Sequence, residues 1–250
     1  MARQIRTALV PLYNKAINRF PFLAPLYRRI LKRETRPPFR RRFATDGLHE
    51  AIKCEFGNKR GGIFVEAGAN DGLLFSNTAY LEFYCAWRGL LVEALPHKFV
   101  ECVKNRPHSI VAHCALVPPD FIGDHVELRY CNLMSYAPAL AEIDQVQQIA
   151  DGTPYLLGSE QKLSAQIFLA PAKTLTDVLM EHNFRHVDLM VLDLEGAELA
   201  ALRGMDFTRC GVDAILIEVR DIEKADAMLS QHGFRQRVQL TDRDYLYRRA

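Results

Sequence analysis

Acidic residues close four apolar runs in this chain: Glu66 in "FVEAGANDG", Glu93 in "GLLVEALP", Asp193 in "LMVLDLEGAEL" and Glu218 in "AILIEV". Such runs read as buried strands, and a carboxylate at a strand's carboxyl end lies where open α/β folds bind ligands. Gly68 and Gly72 bracket Ala69-Asn70-Asp71 after the first run, so a ligand can approach bare backbone N–H groups there. A dinucleotide site would prefer G-x-G-x-x-G at this turn, and that spacing is missing. A carboxylate suits a ligand carrying an ammonium group. S-adenosylmethionine (SAM) carries an ammonium and a sulfonium and no phosphate. Glu93 follows Gly72 by 21 residues, close to the ~20-residue spacing at which an acid accepts bonds from ribose hydroxyls. The reading is a SAM site, with Glu66, Gly68, Asn70 and Gly72 around the methionyl part and Glu93 on the ribose. Ser76, Asn77 and Thr78 open the next helix and read either as an N-cap or as further methionyl contacts.

The second group of acids lies in "LDLEGAEL". Acids in a first helical turn complement the helix dipole, which accounts for Glu198 fully and Glu195 in part. Asp193, at its strand end, faces the reacting side of the switch point, and Glu218 ends the neighbouring strand. Two mechanisms fit. In one, Asp193, with Glu195 beside it, or a nearby histidine takes a proton from an acceptor hydroxyl. In the other, Asp193 and Glu218 hold Mg²⁺, which acidifies that hydroxyl. His97, His108, His113 and His125 are weaker candidates, His113 reading as core. "LVPPD" has the look of a base-methylation signature but follows the third strand, and nothing suggests base flipping.

These residues need strands and helices to position them. Strands are expected over Ile63–Ala67, Gly89–Glu93, Ile110–Leu116, Val187–Leu192, Ala214–Val219, Phe234–Leu240 and Tyr245–Tyr247. Helices are expected over Asn77–Tyr84, Lys98–Lys104, Leu175–His182, Ala197–Arg203 and Ile222–Gln231. Residues 118–170 are irregular and read as an acceptor-side insertion, with "HVELRYCN" a possible strand and "ALAEIDQVQQIA" helical. The alternation predicts a mostly parallel sheet covered by helices.

A chain of 250 residues, 49% hydrophobic, can bury one full core. Cys54, Cys85, Cys102, Cys114, Cys131 and Cys210 include no C-x-x-C pair, which fits neither a disulfide framework nor a thiolate zinc site and favours a reducing, cytoplasmic setting. Residues 1–46 form a separate arm. They hold 12 of the 32 basic residues and only 2 of the 30 acidic ones, a charge of +10, leaving −8 on the rest. Pro11, Pro21 and Pro25 break this arm into short amphipathic pieces. Docking on the body, oligomer contact and a tail are all open; peripheral attachment to an anionic inner membrane face is favoured for residues 1–42. Nucleic acid is not expected, because the acidic body repels phosphates.

The chain resembles the FkbM family of SAM-dependent methyltransferases through "FVEAGANDGLLFSNTAYLE", "GLLVEALP", "CALV" and "VDLMVLDLEGAELAALRG" followed by "AILIEV". The resemblance implies a class I methyltransferase fold: a Rossmann-like, mostly parallel seven-stranded sheet with helices on both faces and an antiparallel last strand. It also implies methyl transfer to a hydroxyl of a sugar, glycan or natural product, and Ala115 of "CALV" at the cofactor. Glu66 replaces the family's usual Asp, and Ala94-Leu95 delays the proline after Glu93. A SAM-binding scaffold without transfer, or an NAD(P)-dependent oxidoreductase, is the alternative reading.

Overall fold

The computed structural model describes residues 43–153, 156 and 166–249; the basic arm expected at the membrane, residues 1–42, lies outside the described residues. Among the described residues the first element is α1 (Asp46–Phe56), which was not among the helices expected. Phe43 and Ala44, assigned above to the arm, are buried in the body. Seven strands form the main sheet: β1 (Ile63–Ala67), β2 (Arg88–Glu93), β3 (Ile110–His113), β7 (His186–Leu192), β8 (Gly211–Glu218), β9 (Phe234–Gln239) and β10 (Asp244–Arg249). Their order is β3-β2-β1-β7-β8-β10-β9. The pairs from β3 to β8 are parallel, while β10 runs antiparallel to both β8 and β9. This is the class I methyltransferase arrangement, with strand order reversing between β1 and β7.

The central strands are apolar throughout because both of their faces are covered. Alternate residues of one strand feed opposite cores. Val65 and Ala67 of β1, with Met190 and Leu192 of β7, pack with Val178 and Leu179 of α5 (Leu175–Glu181), Leu202 of α6 (Glu198–Arg203) and Leu229 of α7 (Ile222–Ser230). Phe64, Leu189 and Val191 point the other way, against Leu48 and Ile52 of α1, Leu81 of α2 (Ala79–Cys85) and Cys102 of α3 (Pro96–Asn105).

The expected strand Ile110–Leu116 is split. Only its first part joins the main sheet; Ala115–Leu116 forms β4 and pairs with β6 (Ile167–Lys173), which pairs in turn with β5 (His125–Arg129). The insertion is therefore a small sheet with its own core around Val126, Leu128, Tyr130 and Ala170. β6 was not foreseen, since Pro171 and the exposed Ile167 and Leu169 give no clean alternation. The helix expected over residues 139–150 begins later, as α4 (Gln145–Gly152), where Asp144 caps the backbone N–H groups of Val146 and Gln147. Among the described residues no helix is long and apolar enough to cross a membrane.

Candidate active site

A cleft of about 750 Å³, including its mouth, opens at the carboxyl ends of β1, β2 and β7. Gly68, Asn70, Glu93, Ala115, Asp193 and Glu195 border it, together with Leu95, Lys98, Tyr136 and Leu140. Six of the residues singled out from the sequence thus meet at one place. The β7 end is tied to the β1 end by a bond from the Asp193 N–H to the Ala67 carbonyl, 3.2 Å. Gly68 sits in this junction with φ +85, and a Cβ there would lie 1.8 Å from the Asp193 carbonyl oxygen. Its missing side chain serves strand packing first.

Glu93 is buried at the cleft base. One carboxylate oxygen accepts the Asn70 N–H at 2.6 Å and the other the Leu95 N–H at 2.8 Å. A carboxylate has about four acceptor directions, so both oxygens can still take hydroxyls. Burial raises the Glu93 carboxyl above its ordinary range, opposed by those two backbone bonds. Among the described residues the Asn70 side-chain oxygen is buried without a hydrogen-bond partner. A buried orphan acceptor is costly unless something donates to it, and it stands on the wall of a cleft of ligand size. These features fit SAM, whose ribose hydroxyls and ammonium are donors.

Four of the expected cofactor residues have other work. Glu66 does not border the cleft. Its carboxylate accepts from Ser76 Oγ at 2.8 Å, the Asn77 N–H at 2.7 Å, Thr78 Oγ1 at 2.5 Å and an Arg106 guanidinium nitrogen at 3.3 Å. Arg106 is fully buried and also bonds Glu82 at 2.7 Å and the Gly72 carbonyl at 3.1 Å. Gly72 makes room for this side chain: a Cβ there would stand 2.7 Å from Arg106 Cγ. Glu66, Ser76, the Asn77 N–H and the Gly72 carbonyl thus meet Arg106 in a buried ionic network beneath the turn. A strand-end acid looks the same in sequence whether it faces out or down. The partner that decides, Arg106, lies 40 residues away.

At the other end, Asp193, Glu195 and Glu218 each offer an oxygen within 4.8 Å of the others. Burial raises Asp193 well above the usual carboxylate range, with Glu218, Glu195 and Glu198 adding repulsion. Burial likewise carries Glu195 and Glu198 up to about 7. Glu198 is a loop cap as well, accepting the N–H groups of Leu194 at 2.7 Å and Gly196 at 3.0 Å. Glu195 and Glu198 thus exchange protons near neutral pH beside Asp193, which suits proton transfer. Gln148 and Arg220, not anticipated, contact Glu195: Gln148 Nε2 donates to it at 2.7 Å, and Arg220 lies 3.9 Å away. Neither His97 nor His113 borders the cleft; His113 Nε2 is 3.0 Å from the Ala94 carbonyl and its ring stacks on Phe99. Burial pushes the Cys114 thiol at the cleft wall up to about 12, so it is no thiolate nucleophile.

Among solved structures, an FkbM methyltransferase from Methylobacillus flagellatus KT aligns at a TM-score of 0.47 and 14% identity, over 79% of this chain and 47% of that one. A TehB-like SAM-dependent methyltransferase from Corynebacterium glutamicum aligns at 0.44 and 10%, over 92% of this chain and 100% of that one. A SAM-dependent methyltransferase from Aquifex aeolicus aligns at 0.42 and 13%, over 86% and 94%. The chain spans less than half the length of the first of these. No curated protein matches the chain. The profile of the methyltransferase FkbM domain matches residues 66–247, from the acid that ends β1 to the antiparallel strand β10, and the chain therefore belongs to the FkbM family of SAM-dependent methyltransferases.

Proposed function

We propose that this chain transfers a methyl group from SAM to a hydroxyl oxygen of a sugar, glycan or natural product, with Asp193 receiving the acceptor's proton. The observation that carries the reading is the cluster of Asp193, Glu195 and Glu218 at the cleft, beside the β1–β7 switch point. Burial and neighbouring negative charge hold the Asp193 and Glu195 carboxyls above the ordinary range, so a proton can be shared between those two. Such a cluster accepts a hydroxyl proton more readily near neutral pH than an ordinary carboxylate, whose lower pKa makes it a weak base.

Bound SAM supplies an electrophilic methyl on a sulfonium, which an in-line oxygen displaces with formation of an ether and release of the thioether. Glu93 and the Asn70 side-chain oxygen would hold its donors, and Leu95 and Ala115 would give it an apolar wall. Asp193 would orient the attacking hydroxyl and take its proton as the oxygen–methyl bond forms. Asn132, Ser135 and Tyr136 of the insertion border the same cleft. Their polar ends suit an acceptor with several hydroxyls, which supports a sugar over an apolar alcohol.

A second reading places Mg²⁺ among Asp193, Glu195 and Glu218, supported by their spacing and by the affinity of hard cations for carboxylate oxygen. Incubation with methyl-labelled SAM and a panel of glycans and monosaccharides is the test, with an alkali-stable methyl ether as the expected product. Asp193→Asn should lower turnover by about 10² or more while leaving SAM affinity nearly unchanged. A fully active variant would remove Asp193 from the chemistry. Loss of wild-type activity in EDTA with recovery on adding Mg²⁺ would select the metal reading.

A further inference from the structure

We propose that Gln148 and Arg220 are a positioning pair that fixes the Glu195 carboxylate at the cleft from the insertion side. The proposal deepens the function above, in which Glu195 belongs to the acid cluster. Gln148 is buried, and each of its polar atoms is committed. Its oxygen accepts from Arg220 at 3.0 Å, while its amide nitrogen donates to Glu195 at 2.7 Å and to the Met134 carbonyl at 3.2 Å. A guanidinium only donates and a carboxylate only accepts, so one amide orientation satisfies all three partners. Arg220, just beyond β8, and Gln148, on α4, therefore hold each other in place over the loop after β7.

The loop needs such support. Glu195 has a φ of +52, a left-handed conformation that a residue with a side chain keeps only where its surroundings impose it. The groups acting on Glu195 come from several elements. Asp193 shares its loop, Glu198 begins α6, Glu218 ends β8 and Cys131 follows β5. Among them the Gln148 amide and Arg220 are the donors that face the Glu195 carboxylate.

The link also joins the acceptor side to the chemistry. α4 lies close against the Cys131–Ser135 stretch: a Cβ at Gly152 would meet Cys131 Sγ at 2.2 Å. Asn132 and Ser135 in that stretch border the cleft. The segment that walls the acceptor end thus also orients Glu195, although Gln148 itself does not border the cleft.

The experiment compares crystal structures of the wild type, Gln148→Leu and Arg220→Met, and measures kcat and KM on each. In both variants the Glu195 side chain should leave its place at the cleft, and kcat should fall about tenfold or more with KM for SAM little changed. Arg220→Lys should restore most of the loss. Gln148→Leu should add nothing in a Glu195→Gln background. A Glu195 side chain unmoved in both variants, or additive losses in the double variant, would overturn the proposal. The crystal structures need no turnover, so absence of methyl transfer would sink the functional reading and leave this result readable. Arg220 is partly exposed, so Arg220→Met supplies the answer should Gln148→Leu fail to fold.

Discussion

Glu66→Ala is the sharpest test of how the site is built, because sequence and structure assign Glu66 different roles. The substitution deletes the acceptor for Ser76 Oγ, Thr78 Oγ1, the Asn77 N–H and one Arg106 nitrogen. Arg106 stays fully buried and keeps Glu82, Gly72 and Thr78 as partners. Removing one member of a buried ionic group costs about 3–5 kcal/mol, because the remaining charge loses compensation it cannot regain from water. The orphaned Asn77 N–H and the void push toward the upper end. For a domain of this size about 4 kcal/mol corresponds to a fall in Tm of roughly 8–16 °C. Urea unfolding should show it as a lower midpoint at unchanged m-value. SAM calorimetry, run at a temperature where both proteins are folded, should show affinity changed by less than about tenfold, 1.4 kcal/mol. If instead the stability loss is below about 1 kcal/mol and SAM affinity drops a hundredfold, Glu66 faces the ligand and the network is misassigned.

Glu93→Ala should do the reverse, weakening SAM by roughly tenfold or more in the same titration, since bonds to a charged acceptor contribute ~1.5–3 kcal/mol. Gly68→Ala should leave little folded protein by circular dichroism, because its Cβ would overlap the Asp193 carbonyl at a positive φ; a well-folded variant would contradict the β1–β7 junction described here. Glu195 and Glu198, raised to about 7 from an ordinary 4.5, keep protons in the folded state that the unfolded chain releases between those values. Their contribution therefore opposes folding more as pH rises through that window and levels off above about 7. A cationic ligand beside them relieves the repulsion, so the Tm increase caused by SAM should be larger at pH 8 than at pH 6 by differential scanning fluorimetry; equal increases would refute this coupling.

The class of fold was legible in the sequence because central parallel strands, buried on both faces, are written as nearly unbroken apolar runs. The stretches Phe64–Ala67, Leu90–Val92, Leu189–Leu192 and Ala214–Ile217 can hardly be anything else. The positions of Glu93 and Asp193 followed, since each acid closes its apolar run where the chain turns. β6 and the break after His113 were not legible, as short strands of a side sheet take their pairing from partners distant in sequence. Nor was the division among the acids. Glu66 stands one residue before the end of β1 and Glu93 ends β2, yet Arg106 draws the first into a buried ionic network while two backbone N–H groups leave the second with open acceptor directions at the cleft. Alternation along β1 sets which face Glu66 takes, but only the packed fold sets what waits there. Gln148 and Arg220 carried no signal either, because a glutamine and an arginine 72 residues apart meet Glu195 only once the insertion has docked on the sheet. Local pattern determines where a polar group can stand; its charge state and its use depend on desolvation and partners, and those exist only in three dimensions.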